Sequence, residues 1–273
     1  MEHLKKYGGY ALITGASAGI GREFARLLAA AGVDCFLVAR REARLQELQQ
    51  ELESKHQVRV KYAAVDLAAE DAIAQVQAAA AGDTIGILIN NAGFGDGGEF
   101  QTRAPERMEE MIRLNCLAPV LLSRAFMPAM IERKRGAMIM VSSALGIAPC
   151  PFEAVYGATK AFDLSFGGAL WGELEGTGVD VTTICPALTE TEFMVSEGFT
   201  ESQAKQAYRR SDSAELIARI TLEGLGKQPF VYAKDSKKMA MARRVMPLPG
   251  VTRMVRGFMK RAKTARREAE AAG

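Results

Sequence analysis

The stretch YALITGASAGIGREF, residues 10–24, holds the change of pattern on which the fold prediction rests. It begins with an apolar run of strand length, YALITGA. Glycines follow at positions 15, 19 and 21, and a helical pattern runs over residues 20–31. Glycine lets the backbone turn sharply between two such elements. A strand, a tight turn and a helix in this order are typical of the first unit of an α/β sheet.

The same alternation continues along the chain. Apolar runs of strand length lie at 10–16, 33–39, 58–65, 84–92, 136–143, 179–186 and 229–233. Helical patterns lie between them at 20–31, 41–55, 69–81, 105–133, 152–175 and 213–225. Several runs are apolar throughout, as in strands covered on both faces. The pattern predicts an α/β protein with a Rossmann-type, doubly wound parallel sheet of about seven strands and helices on both faces.

Composition excludes several classes of protein. The chain has 273 residues, of which 48% are hydrophobic and 25% charged, which is a globular composition. No run of about 18 apolar residues occurs, so we expect no transmembrane helix, and no apolar leader indicates secretion. The cysteines lack CxxC spacing, and both histidines lie far from any motif. We therefore expect no metal site and a cytoplasmic location.

Charge divides the chain into two parts. Residues 234–273 contain 12 Lys and Arg against 3 Asp and Glu, a net charge of +9, whereas the rest, with 23 and 29, has −6. We predict a catalytic domain over 1–233 and a basic amphipathic, helical extension over 234–273. Apolar residues recur in the extension at helical spacing: Val251, Met254, Val255, Phe258 and Ala262. Three roles stay open for it: contact with an anionic membrane, an oligomer interface, or a cover for the acidic body. Nucleic acid is not expected, because the extension has a single aromatic residue, Phe258, and therefore no set of aromatics on which bases could stack.

The glycine-rich turn is placed to bind a ligand. In a parallel sheet, ligands lie outside the carboxyl ends of the strands. Gly15, Gly19 and Gly21 allow close approach of the backbone, and the following helix offers N–H groups and a positive dipole end to a pyrophosphate. A tight turn without any ligand is the alternative. The strand–turn–helix context favours a dinucleotide site.

Two arginines indicate which dinucleotide is bound. The second strand ends in LVARREARL, which has Arg40 and Arg41 but no carboxylate at the strand end. A carboxylate there would bind a ribose 2′-hydroxyl, whereas arginine accommodates a 2′-phosphate. Solvated arginines at a helix start are the alternative. We predict NADP(H), with NAD(H) as the second choice.

An acid–base group lies on the predicted helix 152–175. Tyr156 and Lys160 are four residues apart and therefore share one face. A phenol has a pKa of about 10, and a nearby ammonium lowers it. Such a tyrosine can exchange a proton with a carbonyl oxygen. Ser143, at a strand end, can hold the same oxygen, while alternation points Ser142 to the other face.

Asn115 is followed four residues later by Pro119. Because proline has no N–H, the carbonyl of Asn115 cannot accept the usual helical hydrogen bond. That carbonyl can hold a water that connects Lys160 with solvent. A simple proline kink is the alternative.

Together these motifs resemble the short-chain dehydrogenase/reductase family in its shorter form. The residues that carry the resemblance are TGASAGIG (14–21), NNAG (90–93), Asn115, Ser143, Tyr156 and Lys160, and it extends over residues 8 to about 233. The resemblance implies that Tyr156 is the acid/base and that Ser143 positions the substrate oxygen. It implies that Lys160 lowers the pKa of Tyr156 and holds the nicotinamide ribose, while Asn115 orders a relay water. It also implies a homodimer or homotetramer.

The resemblance further implies a set of cofactor contacts. They are Gly15, Ser17, Gly19, Ile20, Gly21, Arg40, Arg41, Asp66, Asn91, Gly93, Tyr156, Lys160, Pro186 and Thr189. Asp66 would meet the adenine, although a plain helix N-cap explains it equally well. Asn91 would lie on the adenosine side. The family usually has Pro-Gly where this chain has Pro186-Ala187, and alanine fits there if its φ is negative.

The substrate region is expected at residues 187–212, a long insert that fits no strand and only a short helix and is placed to be a lid. An apolar pocket can be lined by Phe94, Leu145, Phe152, Phe193 and Met194 beside Ser143, although ordinary packing explains each alone.

We predict an NADP(H)-dependent oxidoreductase that transfers a hydride between the nicotinamide and an apolar ketone or aldehyde, or the corresponding alcohol. The alternative is a non-catalytic dinucleotide-binding sensor or scaffold.

Overall fold

The computed structural model describes residues 1–193, 200, 208 and 211–271, with side chains in the last helix up to residue 260. Its strands are β1 (Tyr10–Thr14), β2 (Cys35–Ala39), β3 (Val60–Ala64), β4 (Ile85–Asn90), β5 (Gly136–Val141), β6 (Val179–Cys185), β7 (Thr189–Glu190), β8 (Asp212–Ser213) and β9 (Phe230–Tyr232). Seven of them form one parallel sheet in the order β3-β2-β1-β4-β5-β6-β9. The predicted doubly wound sheet is confirmed, and its order reverses between β1 and β4.

Helices cover both faces of this sheet. They are α1 (Gly19–Ala30), α2 (Glu42–His56), α3 (Ala72–Ala79), α4 (Pro105–Ile112), α5 (Ala118–Glu132), α6 (Ala154–Glu173), α7 (Ala214–Gly224), α8 (Lys234–Val245) and α9 (Leu248–Ala271). Successive residues of β1 enter two separate cores: Ile13 packs with α1, α2 and α7, whereas Leu12 packs with α3, α5 and α6. Side chains of a strand alternate between the faces. A strand covered twice is therefore apolar at every position.

The predicted helix over 105–133 is interrupted. α4 ends at Ile112, a π-helical turn occupies Arg113–Leu117, and α5 begins at Ala118, whose N–H bonds to the carbonyl of Arg113. Pro119 has no N–H with which to continue the α-helical pattern. Asn115 lies within the turn and is fully buried. Single π-turns inside helices occur frequently at functional sites.

The stretch Pro105–Glu132 is long and apolar enough, by length and composition alone, to cross a membrane, although the sequence predicted no such segment. In this fold α5 packs against β4 and β5. Core helices that cover a sheet meet the same criterion, because the face toward the sheet is apolar. One third of its most apolar window is buried, so packing in the core accounts for only part of its hydropathy.

Two short strands correct the expectation that residues 187–212 contain none. β7 and β8 pair in parallel and join the two ends of the insert. Strands of two residues are too short to show any periodicity in a sequence. Most of the predicted lid, including Met194, lies outside the described residues.

The basic extension is helical, as predicted, and consists of α8 and α9. Val251 and Val255 are buried against Ala148 and Cys150 of the loop that follows β5. Met254 and Phe258, which the same pattern placed on the apolar face, are exposed. Part of α9 is therefore packed on the body of the protein, and the boundary at residue 233 stays a prediction.

Candidate active site

The glycine-rich turn lies at the carboxyl end of β1 and has the backbone that only glycine adopts easily. Gly15 and Gly19 have φ of +67° and +53°. A Cβ at Gly21 would lie 2.5 Å from Asn91 Nδ2 and would collide with the carbonyl oxygen of Gly15. α1 begins at Gly19, and its N-cap, Ala18, makes no side-chain capping bond. The first N–H groups of α1 thus remain available to an anion.

Hydrogen bonds fix this turn to the neighbouring strand. Thr14 Oγ1 accepts from the backbone N–H groups of Asn91 and Ala92, both at 2.9 Å, and donates to the carbonyl of Ile89 at 3.1 Å. Asn91 Nδ2 donates to the carbonyl of Thr14 at 2.8 Å. The ends of β1 and β4 are therefore locked together where the strand order reverses. The side chain of Asn91, predicted as an adenosine contact, is bonded within the turn.

The two predicted arginines point in different directions. Arg41 donates through Nε and Nη2 to Ser17 Oγ at 3.3 and 3.1 Å, beside the glycine-rich turn. Arg40 lies 3.9 Å from Asp66 and 3.6 Å from Glu110. Asp66 accepts from the N–H of Ala68 and closes a local turn. It does not cap α3, whose N-cap is Asp71, so that alternative for Asp66 was wrong.

Arg41 also shares a carboxylate with a neighbour that the sequence did not single out. Its Nη1 lies 2.7 Å from Glu192 Oε2, and Arg44 Nη1 pairs with Glu192 Oε1. Arg44 lies one turn beyond Arg41 on α2. A Cβ at Gly19 would lie 2.9 Å from Thr191 Cγ2, so the chain before Glu192 passes over the glycine-rich turn.

Tyr156 and Lys160 are both buried on α6 at the carboxyl edge of the sheet. Lys160 Nζ donates to the carbonyl of Val141 and to Asp163 Oδ2, each at 2.9 Å. Ser143 follows β5, is half-buried, and accepts from the N–H of Leu145 at 3.2 Å. Ser142 donates to the carbonyl of Lys160 at 2.6 Å, so its hydroxyl is bonded to the backbone of α6.

Asn115 joins the loop after β4 to α6. Its Nδ2 donates to the carbonyl of Phe94 at 2.9 Å and to Thr159 Oγ1 at 3.0 Å, while Oδ1 accepts from the N–H of Phe94 at 3.2 Å. A Cβ at Gly93 would lie 3.0 Å from Asn115 Oδ1 and 3.3 Å from Lys160 Nζ. Glycine thus lets the loop pass close to both groups.

Most of the predicted substrate residues gather around the tyrosine. Phe94, Tyr156 and Met111 form a buried cluster, and Leu145 and Phe193 pack against it. The rings of Tyr156 and Phe193 have centroids 5.4 Å apart. Phe152 is the exception: it has a φ of +72° and lines a small cavity with Phe100, Met108 and Met111.

The remaining predicted contacts lie near this cluster or in the turn. Pro186 accepts from the N–H of Ala144 at 2.7 Å, which ties the loop after β6 to the loop that carries Ser143. Ala187 is not among the residues with positive φ, so alanine fits where the family usually has glycine. Thr189 is buried and bonds to the carbonyl of Ala187 at 3.0 Å. Ile20 packs against the core beneath the glycine-rich turn.

Sequence analysis missed several residues that the structure brings to this site. They are Thr14, Arg44, Met111, Asp163 and Glu192. Spacing offered a weak signal for two of them, since Arg44 and Asp163 each lie one turn beyond a residue already chosen. Thr14 lies in the TGASAGIG motif but had no predicted role, whereas Met111 and Glu192 have no local pattern, because only the fold brings them near the motifs.

Comparison with known proteins agrees with this geometry. The short chain dehydrogenase family matches residues 9–202. The very-long-chain 3-oxoacyl-CoA reductase of Bos taurus is 34% identical over 225 residues, which cover 81% of this chain and 70% of that protein. A solved 7beta-hydroxysteroid dehydrogenase has a TM-score of 0.85 at 30% identity, and the match covers 93% of this chain and 99% of that one.

A second solved structure contains a cofactor. The short-chain dehydrogenase from Sphingobium yanoikuyae in complex with NADPH has a TM-score of 0.76 at 32% identity, and the match covers 86% of this chain and 93% of that one. The family match spans well over half of the sequence, and it includes the glycine-rich turn and the Tyr156–Lys160 pair. This chain therefore belongs to the short-chain dehydrogenase family.

Proposed function

We propose that this oxidoreductase uses NADP(H) to interconvert a bulky apolar ketone or aldehyde and the corresponding alcohol, with Tyr156 as the acid/base. One arrangement carries the proposal: Tyr156 and Lys160 lie buried one turn apart at the carboxyl edge of the sheet, next to an apolar cluster and the Ser143 loop. Membership of the family supports dinucleotide-dependent hydride transfer. The relative from Sphingobium yanoikuyae is known in complex with NADPH.

The glycine-rich turn suits the cofactor. The open N–H groups of α1 and the backbone of Gly15, Gly19 and Gly21 would hold the pyrophosphate. Arg41, fixed beside Ser17, would hold the 2′-phosphate. The remaining contacts would be Ile20, Arg40, Asp66 and Asn91 on the adenosine side, and Gly93, Pro186 and Thr189 toward the nicotinamide. When bound, the reduced cofactor supplies the hydride that the carbonyl carbon receives.

The proton is handled by residues of this chain. Ser143 donates a hydrogen bond to the substrate oxygen, and Tyr156 gives that oxygen its proton in reduction or removes it in oxidation. The charge of Lys160 stabilises the phenolate that remains. Asn115 fixes the loop beside Lys160, and its backbone carbonyl would hold the water through which the proton is replaced. A carbonyl thus gains a hydride at carbon and a proton at oxygen.

The pocket favours an apolar substrate. Phe94, Leu145 and Phe193 would line it around Tyr156, with Phe152 at its edge. One relative is named for very-long-chain 3-oxoacyl-CoA, and another for a hydroxysteroid. We propose that residues 187–212, joined at their ends by β7 and β8, form a lid over this pocket.

A non-catalytic sensor or scaffold is not favoured. Such a protein would need the dinucleotide site but not Asn115, Ser143, Tyr156 and Lys160. All four are present, and the three other than Ser143 are buried within one neighbourhood. Proteins that only bind a dinucleotide have no use for an acid–base set.

Replacing Tyr156 with Phe tests the acid/base. The substitution removes only the hydroxyl, so we expect turnover to fall by about 100-fold or more, because general acid–base catalysis contributes about that much. NADPH affinity should stay close to that of the wild type. Turnover is followed by NADPH absorbance with ketones, steroids, quinones and acyl thioesters, and affinity by NADPH fluorescence. Tyr62→Phe, on β3 at the far side of the sheet, is the control. Near-normal turnover in Tyr156→Phe would contradict the assignment.

Replacing Arg41 with Ala tests the cofactor preference. Loss of a charged hydrogen bond of about 1.5–3 kcal/mol should weaken NADPH roughly 10- to 100-fold and leave NADH nearly unchanged. Arg40→Ala should have the smaller effect, because Arg40 faces Asp66. Affinities are compared by fluorescence titration, with the exposed Arg59→Ala as control. Equal weakening of both dinucleotides would remove the argument for NADP(H).

An apolar surface supports a homodimer. Large apolar side chains are exposed on the segment from α4 to α5 and on the neighbouring α6: Ile112, Leu117, Leu121, Phe162 and Trp171. Phe162 and Phe166 stack with ring centroids 5.6 Å apart. Contiguous exposed apolar patches mark interaction sites, and a two-fold dimer buries the same patch on both copies. We propose that a second copy of this chain covers these residues.

Leu121→Glu tests this interface, because a carboxylate from each copy would be buried in it. We expect the dimer of the wild type to become a monomer when mass is measured by light scattering after gel filtration. Leu216→Glu places the same charge on an exposed leucine of α7 and should remain dimeric. A monomeric wild type would overturn the proposed interface, as would a fully dimeric Leu121→Glu.

The outer side of α8 and α9 supports contact with a membrane. Its exposed apolar residues are Met241, Val245, Leu248, Met254 and Phe258. They are interleaved with Arg243, Arg244, Arg253, Arg256 and Lys260, and no acidic residue occurs between positions 235 and 268. Exposed apolar groups among cations are typical of segments that lie on anionic lipid. We propose that the protein acts in the cytoplasm and binds an anionic membrane surface through these two helices.

Sedimentation with vesicles tests this contact. We expect the wild type to pellet with vesicles that contain phosphatidylserine, and less so with neutral phosphatidylcholine or at high salt. Met254→Ser combined with Phe258→Ser removes two exposed apolar groups and should reduce pelleting. Leu216→Ser, on α7, is the control. If the double variant and the wild type pellet equally, α9 does not make the contact.

A further inference from the structure

A buried carboxylate lies beside Lys160, and the family motifs do not account for it. Asp163 Oδ2 is 2.9 Å from Lys160 Nζ, and the two side chains are only 4% and 6% exposed. Tyr156, Lys160 and Asp163 follow one another on α6 at spacings of four and three residues. Residues at these spacings share one face of a helix. The proposed acid/base, its ammonium and this carboxylate therefore form one column.

The ammonium of Lys160 is held in a fixed direction. Besides Asp163, it donates to the carbonyl of Val141 at 2.9 Å. A lysine ammonium has three N–H donors, so these two acceptors leave one for other groups. The backbone of Gly93 passes close by, since a Cβ there would lie 3.3 Å from Nζ. Among the described residues the third N–H has no acceptor, and the backbone of Gly93 lies beside it.

Two thiols, which lie close enough to interact with the pair, carry no charge near neutral pH. Cys116, from the π-helical turn, and Cys185, from β6, both interact with Asp163. Burial raises the pKa of Cys116 to about 11 and that of Cys185 to about 12. Within the described residues, Lys160 is the one cation in an ion pair with Asp163. The charges of these two groups are thus balanced mainly by each other.

Each of these two charges would be costly to bury without the other. Burial raises the pKa of Asp163, and the adjacent Lys160 opposes the change. The second oxygen of Asp163, Oδ1, is buried and has no hydrogen-bond partner among the described residues. An apolar side chain in place of Asp163 alone would leave the buried Lys160 ammonium without its counter-charge, so the two groups depend on each other.

We propose that Asp163 is a positioning residue that keeps the Lys160 ammonium charged and aimed at the cleft, a role that rests on the function proposed above. A buried ammonium without a counter-charge is costly, and such a group gives up its proton instead. A neutral amine would not stabilise the phenolate of Tyr156. The ion pair, rather than the lysine alone, thus sets the acidity of the tyrosine.

Asp163→Asn tests the role, because it keeps the shape and one acceptor but removes the charge. In alcohol oxidation Tyr156 must be ionised, so kcat/KM rises with pH to a plateau. We expect the rising limb of the variant to move to higher pH by about one unit or more, as for loss of a nearby charge. Glu173→Gln removes an exposed carboxylate from the same helix and should leave the limb in place.

A second measurement needs no turnover. Free energies of unfolding of the cofactor-free protein are compared for Lys160→Met, Asp163→Leu and the double variant. Each single change leaves an unbalanced buried charge, so the double variant should lose much less stability than the sum of the two. If Asp163→Asn does not fold, Asp163→Glu and Asp163→Gln form a second pair that differs only in charge.

The outcomes separate this role from the function on which it rests. A folded Asp163→Asn with an unchanged limb, or with a limb at lower pH, would overturn the role while wild-type turnover upholds the function. Additive losses in the unfolding cycle would also overturn it. A wild type without turnover on any carbonyl would overturn the proposed function first. The positioning role of Asp163 would then also be overturned, even if the unfolding measurements showed that Lys160 and Asp163 are coupled.

Discussion

The junction between β1 and β4 is the contact on which the candidate site depends. Thr14 and Asn91 bond the two strand ends to each other, and the glycine-rich turn leaves the sheet at that point. The strand order reverses here, so the helices on either side diverge and leave a cleft. The loops after β4, β5 and β6 open on the same edge. All the groups assigned to chemistry meet there because of that reversal.

One of these groups, Asn115, is positioned by an irregular turn in its helix. The π-helical turn at Arg113–Leu117 places Asn115 in the core, where its side chain holds both the backbone of Phe94 and Thr159. Lys160 approaches the same loop from α6, and Gly93 makes room for it. The helix break at Pro119 therefore helps to hold the loop against which the Lys160 ammonium lies. Structural and chemical functions cannot be separated at this residue.

The sequence predicted the long elements well, because strands buried on both faces must be apolar throughout and their spacing leaves room only for helices. The glycine-rich turn and the Tyr156–Lys160 pair also follow from local spacing. Other features depend on contacts between distant segments. Around Asn115 the sequence predicted one helix with a free carbonyl, and a proline kink as the alternative, but not a π-helical turn. β7 and β8 are too short for any pattern. Arg40 pairs with Asp66 and Arg41 pairs with Glu192. The directions of the two arginines therefore involve carboxylates that are distant from them in the sequence. Asp163 had no predicted role, and its burial beside Lys160 follows only from the packing of α6.

The packing of α9 gives the last part of the chain an unusual importance. Val251 and Val255 rest on Ala148 and Cys150, a few residues after Ser143. Chain ends usually tolerate shortening, because little is packed against them. Here a stop codon upstream of Val251 would uncover Ala148 and Cys150, two apolar side chains in the loop that also carries Ser143. The helix α9 thus supports the loop that carries a proposed catalytic residue. Losing α9 would therefore disturb a site that lies more than 100 residues earlier in the sequence.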